Sequence, residues 1–239
     1  MTGPSDQMPW KAPGPLLASG RDADIYEHGP HTVLRRARDG RSIAPEARIM
    51  EHLHDAGYPV PEISEVSKDG TTIVMERIDG ADMVAWISNH PWAVGRAGRI
   101  LGELHLRLHE LAAPDWLRAA PVGTAGDRIV HLDLHPLNVM LTRTGPVVID
   151  WANAAAGDPA IDEALAWAII RGGQPPARGL MALLVKAGRG WLLANFVRTV
   201  GPQSARTVLR DAVTYVAKNP HLTSGEVATM WHLVEKEAL

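Results

Sequence analysis

The chain has 239 residues, 46% of them apolar, with a formal charge of −3 at pH 7 and a pI near 6.4. That length suits one two-lobed domain or two small ones with ample core, and the charge gives no electrostatic case for a nucleic-acid partner. With no cysteine there is no disulfide or thiol catalysis, Met1 to Trp10 lacks the basic start and apolar centre of a signal peptide, and no apolar run approaches a membrane span, so a soluble cytoplasmic protein with no membrane partner is expected.

The Pro- and Gly-rich residues 1–15 are expected to form a flexible tail. Leu16 to Tyr26 then reads as strand, turn at Gly20 and strand, and Thr32 to Arg35 as a further strand. A helix follows, opened by Ser42 and Pro45 and closed by Gly57. Its apolar residues Ile49, Met50 and Leu53 stand at i+3, i+4 and i+7 from Glu46, which puts Glu46 on the inward face. Thr71 to Gly80 reads as a strand running into a turn. In the stretch 93–112, Ala97, Leu101, Leu104, Leu108 and Leu111 recur at helical spacing and predict a buried helix, with His105 and His109 as core or surface histidines. Beyond the next motif the chain reads as helical, and Asp158-Pro159 opens one helix with an N-cap carboxylate and a first-position proline.

That motif is His131-Leu132-Asp133-Leu134-His135-Pro136-Leu137-Asn138, followed by Val139 to Leu141, the turn Thr142 to Gly145, and Pro146 to Ile149 leading into Asp150-Trp151. The two apolar runs read as strand, turn, strand. Transfer of a γ-phosphoryl group to a hydroxyl is mostly positioning and charge neutralisation. It needs one carboxylate beside the acceptor hydroxyl, and an Asn and a second carboxylate on the Mg²⁺ that bridges the phosphates. Asp133 fits the first role, and Asn138 and Asp150 the second. H-x-D-x-x-x-x-N is the kinase catalytic-loop pattern, and His131 is read as holding the backbone of that loop.

These residues resemble the aminoglycoside phosphotransferase and choline kinase group, small-molecule kinases with a protein-kinase-like fold. The resemblance implies an α+β architecture: a small β-rich N-lobe over 16–80 and a mainly helical C-lobe over 81–239 carrying the catalytic loop and acceptor site. It implies ATP as phosphate donor, GTP remaining open, and Mg²⁺ as cofactor. His135 falls where protein kinases carry a catalytic-loop Lys, for either a γ-phosphate contact or a structural hydrogen bond. Trp151 stands in place of the Phe of D-F-G, Leu132 replaces the Arg of H-R-D, and no A-P-E segment follows. Upstream, the resemblance implies that the Gly20 turn covers the phosphates, that Arg35 occupies the place of the phosphate-binding Lys with Glu46 as its partner, and that Met75 backs the adenine pocket while Glu76 and Ile78 offer main-chain groups. Arg clamps phosphate with a fork rather than a point charge. In the family a G-D-P-x-x-D segment buttresses the loop, giving Asp158 and Asp162 structural roles.

The acceptor is a small hydroxyl-bearing molecule on this reading. Only residues 110–130 separate His109 from His131, where relatives elaborate helices, so a small or open acceptor site is expected. Residues 160–239 hold six acids against nine Lys or Arg, whereas a polycationic aminoglycoside would call for a local excess of carboxylates. Asp82, Arg171, Trp191, Asn195 and Arg198 are candidates for a pocket, with helix-surface placement as the alternative. Two other functions stay open: an atypical protein kinase, and a nucleotide-binding pseudokinase or interaction protein, the latter suggested by Arg35 in the Lys position.

Overall fold

The computed structural model describes residues 14–20, 22–173, 179–220 and 222–237, so most of the expected tail, residues 1–13, lies outside the described residues. The chain divides into two compact units between Asp79 and Gly80.

The first unit is an antiparallel sheet of five strands with one helix. The strands are β1 (Leu16–Ser19), β2 (Ala23–Glu27), β3 (Thr32–Ala37), β4 (Ile63–Val66) and β5 (Thr72–Glu76), in the order β1-β2-β3-β5-β4. Between β3 and β5 the register sets Leu34 opposite Val74 and Arg35 opposite Ile73. Leu34 and Ile73 are wholly buried, and truncating either to Ala would cost about 2–5 kcal/mol. The helix α1 (Ala44–Asp55) turns Ala47, Ile49, Met50 and Leu53 inward together with Glu46. Ala47 joins Ala37, Ile43 and Ile73 in one core cluster, against which Met75 packs.

Both ends of α1 have identifiable causes. Gly57 at φ +75° is the left-handed residue that stops it. Its N–H donates to His54 O at 2.9 Å and that of Tyr58 to Leu53 O at 2.9 Å, the two bonds of a Schellman motif, with Tyr58 and Leu53 both buried beside them. At the start the expected cap moves by one residue. Ile43 is the N-cap, without a side-chain cap bond, and Ser42 instead accepts from Ala44 N through Oγ at 3.3 Å.

The second unit begins with β6 (Ala81–Asp82) and α2 (Met83–Asn89), whose N-cap Asp82 accepts from Ala85 N at 2.9 Å. Next come α3 (Val94–His109), β7 (Arg128–Val130), β8 (Val139–Leu141), β9 (Pro146–Val148) and β10 (Ala155–Gly157). Four helices close the chain: α4 (Pro159–Gly172), α5 (Gly179–Val200), α6 (Pro202–Val216) and α7 (Ser224–Glu237). A three-stranded sheet runs β6-β8-β9 and a two-stranded one pairs β10 with β7. Helix α3 buries Ala97, Leu101, Leu104 and Leu108, while Leu111 lies past its end and is half-buried. It packs closely on α5, because a Cβ at Gly98 would lie 2.2 Å from the backbone oxygen of Leu192. Helix α4 is buried on nearly every side, and α5, α6 and α7 all pack on it. None of the described helices is long and apolar enough to cross a membrane.

Candidate active site

The loop 131–138 leaves β7 and ends in a short 3₁₀ turn, Pro136–Asn138, which leads straight into β8. Pro136 fits the first position of that turn because its missing N–H needs no partner there, and His135 caps it by accepting from Leu137 N at 3.3 Å through Nδ1. Since Nδ1 accepts, Nε2 carries the proton, and it lies 3.3 Å from Asp133 Oδ1. Asn138 completes the arrangement. Its Nδ2 donates to the backbone oxygen of Asp133 at 2.9 Å and reaches Asp133 Oδ2 at 3.4 Å. The side chains of Asp133, His135 and Asn138 therefore lie together, Asn138 hydrogen-bonded to Asp133 and the His135 ring in close contact with the other carboxylate oxygen. His135 thus makes a structural hydrogen bond, one of the two roles expected of it, through Nδ1.

The β8–β9 hairpin brings Asp150 next to that group. Val139 pairs with Val148, Ile149 N donates to Asn138 O at 3.0 Å, and Asp150 is the next residue. Gly145 at φ +144° makes the turn. His131 ties the same two segments from the inside, as expected of it. Its Nδ1 accepts from Asp133 N at 3.2 Å, so Nε2 is the donor to Ile149 O at 3.1 Å. Trp151 covers the His131 ring at 4.5 Å between centroids and donates Nε1–H to Val148 O at 3.1 Å.

Leu132 and Asp150 are the two non-glycine residues with left-handed backbone among those described, at φ +63° and +65°. Asp visits that region at modest cost, whereas Leu in it costs about 1–2 kcal/mol. The carboxylate that holds Leu132 there is Asp162, on α4. Asp162 accepts from Leu132 N at 2.7 Å, from His131 N at 2.9 Å and from His109 Nε2 at 3.2 Å, and it is wholly buried. Burial alone would raise its pKa, but the His109 hydrogen bond and the charge of the surrounding imidazoles outweigh that and hold it well below the usual carboxylate range.

His109 shows the converse balance. Burial would lower it, yet the hydrogen bond to Asp162 and the charges of Asp162 and Glu163 win and hold it at about 9, with Glu163 Oε1 3.7 Å from Nδ1. It is an imidazolium between two acids. One turn earlier on α3, His105 is wholly buried against Phe196, with Nδ1 on Leu101 O at 2.9 Å. Burial pushes it down to about 4, so it stays neutral. Asp158, the other residue of the expected buttress, does not touch the loop: it caps α4 through Ala160 N at 2.9 Å and accepts from Thr124 Oγ1 at 2.6 Å.

In the first unit, Arg35 and Glu46 meet as expected. Arg35 Nη2 lies 3.0 and 3.1 Å from the two oxygens of Glu46, both side chains being nearly buried. Gly20 lies in the β1–β2 turn, donating to Ala23 O at 2.9 Å and accepting from Arg38 at 3.2 Å. Met75 packs on the core cluster from β5. Glu76 at the strand end donates N–H to Glu62 O at 2.8 Å, and Ile78 follows it outside the strand, half-buried.

Sequence reading missed Arg118. From the connection between α3 and β7 it donates to the backbone oxygens of Ala152, Asn153 and Ala154 at 3.4, 2.8 and 3.2 Å, and so fixes the turn that follows Asp150. An arginine in an irregular segment carries no periodic signal. Of the pocket candidates, Asn195 is buried rather than on a helix surface. An open depression of about 640 Å³ beside His109, Glu110, Asp127 and Asp158 includes none of the four loop residues Asp133, His135, Asn138 and Asp150.

The donor set suits a hard divalent cation. With its amide nitrogen on Asp133, Asn138 offers Oδ1, and Asp150 offers a carboxylate. No group of three or more His, Cys, Asp or Glu forms a metal cage among the described residues, and Mg²⁺ commonly needs only one or two protein oxygens beside substrate phosphates.

A family model described as the phosphotransferase enzyme family, APH, matches residues 14–124 and 113–196. Among solved structures, the chain is similar to a thermostable mutant of aminoglycoside phosphotransferase APH(4)-Ia in apo form, with TM-score 0.63 and 15% identity over 94% of each chain. ADP-bound aminoglycoside phosphotransferase APH(2'')-Ib gives TM-score 0.61 and 12% identity over 93% of this chain and 91% of that one. A choline/ethanolamine kinase family protein from Mesorhizobium loti gives 0.50 and 18% over 91% and 92%. No curated protein matches by sequence. At these identities the structures establish the fold, an α+β protein-kinase-like one.

Proposed function

The chain belongs to the phosphotransferase enzyme family, and from that premise we propose that it is an ATP- and Mg²⁺-dependent small-molecule kinase acting on a hydroxyl group. One observation carries the proposal: Asn138 is hydrogen-bonded to Asp133, the His135 ring lies against the same carboxylate, and the β8–β9 hairpin brings Asp150 beside them. The relative solved with ADP supports an adenine nucleotide as donor.

On this reading Asp133 orients the acceptor hydroxyl and takes its proton as the new O–P bond forms and the bond from the γ-phosphorus to the bridging oxygen of ADP breaks. His135 Nε2–H and Asn138 Nδ2–H keep the carboxylate in one orientation, leaving the acceptor to approach its exposed side. Oδ1 of Asn138 and the Asp150 carboxylate would hold Mg²⁺, which supplies charge neutralisation on the phosphates when bound. Arg35, aligned by Glu46, binds phosphate oxygens. The roles of Gly20, Met75, Glu76 and Ile78 around the nucleotide belong to the same proposal.

The test is ADP release from Mg-ATP over a panel of aminoglycosides, sugars, amino alcohols and nucleosides, with Asp133→Ala in parallel. Acceptor-dependent release that falls about 10²-fold or more in the variant is expected. Equal release by the variant would remove Asp133 from the mechanism, phosphate appearing on protein would favour a protein kinase, and nucleotide binding with no release would favour a pseudokinase.

A further inference from the structure

We propose that the seam between α3 and α5 holds an oxyanion-binding site, formed by Arg99, Arg198 and the indole N–H of Trp191, for a small molecule bearing a phosphate or carboxylate group. Arg99 Nη1, from α3, and Arg198 Nη2, from α5, both donate to one atom, Oδ1 of Asn195, at 3.4 and 2.6 Å. Asn195 is 1% exposed, and its Nδ2 donates to Trp191 O at 2.8 Å. A buried amide thus holds two guanidinium groups on one oxygen, within a few ångströms of each other.

Like charges so placed repel, and a neutral amide does not offset them. Among the described residues neither arginine has a carboxylate partner. Glu103 follows Arg99 by one turn of α3 without pairing to it, basic-before-acidic being the weaker order for such a pair. Both guanidiniums belong to exposed residues. Trp191 adds a third donor. The residue is 57% exposed, and Nε1 rests over Gly95, where a Cβ would come within 2.6 Å of it. Glycine there is what admits the indole. Nε1–H has no acceptor among the described residues. Three donors with two full charges select a ligand that only accepts, and phosphate or carboxylate oxygens match a guanidinium fork. Trp191, Asn195 and Arg198 were candidates for an acceptor pocket from the sequence, but the site uses none of the residues given a role in the proposed phosphoryl transfer and does not depend on that reading.

The experiment is calorimetric titration of the full chain with inorganic phosphate and, separately, citrate at low ionic strength, using wild type, Arg99→Gln, Arg198→Gln and, as control, Asp133→Ala. Because both arginines are exposed, the Gln variants should keep the wild-type melting temperature, which is checked first. Saturable wild-type binding of at least one anion is expected, weakened about tenfold or more by each Gln substitution and retained in Asp133→Ala. Tighter phosphate names a phosphate ligand and tighter citrate a carboxylate. Absence of saturable binding at millimolar anion, binding that survives both Gln substitutions, or loss in Asp133→Ala would overturn the site.

Discussion

Replacing Asp162 with Asn keeps the side-chain shape and removes its charge. The wild-type carboxylate is wholly buried and accepts from two backbone N–H groups, at 2.7 and 2.9 Å, and from His109 Nε2 at 3.2 Å. Asparagine has one acceptor oxygen for these three donors, and its own Nδ2 faces at least one of them. A buried donor left unpaired costs about 1–3 kcal/mol. The His109 imidazolium also loses its closest counter-charge, and breaking a buried pair of this kind costs about 3–5 kcal/mol in all. For a chain of this length each kcal/mol moves the midpoint by about 2–4 °C, so the variant should melt about 10 °C lower. Turnover should fall as well, because Leu132 at φ +63° relaxes once its N–H is released and Asp133 is the next residue. Melting followed by circular dichroism at pH 6.5, with ADP release alongside, checks both effects. A variant that melts with the wild type and turns over at the wild-type rate would refute the buttress.

The two buried histidines set a pH window. His109, raised to about 9, contributes stability that is complete below its unfolded value of 6.5 and is lost as pH rises from 6.5 to 9; His105, lowered to about 4, contributes stability present above 6.5 and lost as pH falls from 6.5 to 4. The melting temperature should therefore peak near pH 6.5, each limb losing up to about 3 kcal/mol, and His105→Leu should flatten the acid limb. A pH-independent midpoint would dispose of this account. Gly98→Ala should destabilise by about 1–3 kcal/mol, since its Cβ would meet Leu192 O at 2.2 Å, whereas Gly188→Ala, with nothing within 4 Å, should stabilise α5 by about 0.4–1 kcal/mol. Denaturant midpoints of equal sign for the two would contradict the packing. Asp150→Ala should abolish Mg²⁺-dependent nucleotide binding, and a metal-dependent shift in nucleotide affinity that survives the change would remove Asp150 from the cation site.

Much of the candidate site's geometry was legible because the proposed phosphoryl transfer would call for its side-chain chemistry at fixed short spacings. Asp133, His135 and Asn138 lie within six residues, and the hairpin that delivers Asp150 is local, so strand periodicity and one turn suffice to place all four. The end of α1 was equally readable, since Gly57 alone supplies the positive φ that a Schellman motif requires. Ser42 showed the limit of local signals: it has cap chemistry, but the core holds Ile43 at the cap position. His109, Arg118 and Asn195 were beyond reach. Their partners lie 53, 34 to 36, and 96 residues away, and no period or spacing announces such pairs. Asn195 on α5 looked like a surface residue because an isolated polar residue on a helix is usually exposed.

The unreadable contacts share a purpose. Leu132 and Asp150 hold backbone angles that local propensity resists, and each is flanked by a long-range device: the Asp162 carboxylate grips the N–H of Leu132, and Arg118 collects three carbonyls just past Asp150. A loop whose own sequence favoured this geometry would need neither. Here the side chains proposed to meet the substrate were specified locally and the backbone that aims them was specified from α4 and from the segment before β7. The conflict between local preference and observed conformation is therefore concentrated where the chemistry is proposed to occur, as expected when strain persists only because surrounding contacts over-determine it. Asp162 consequently ranks with Asp133 among the residues on which turnover should depend, although it never meets the substrate.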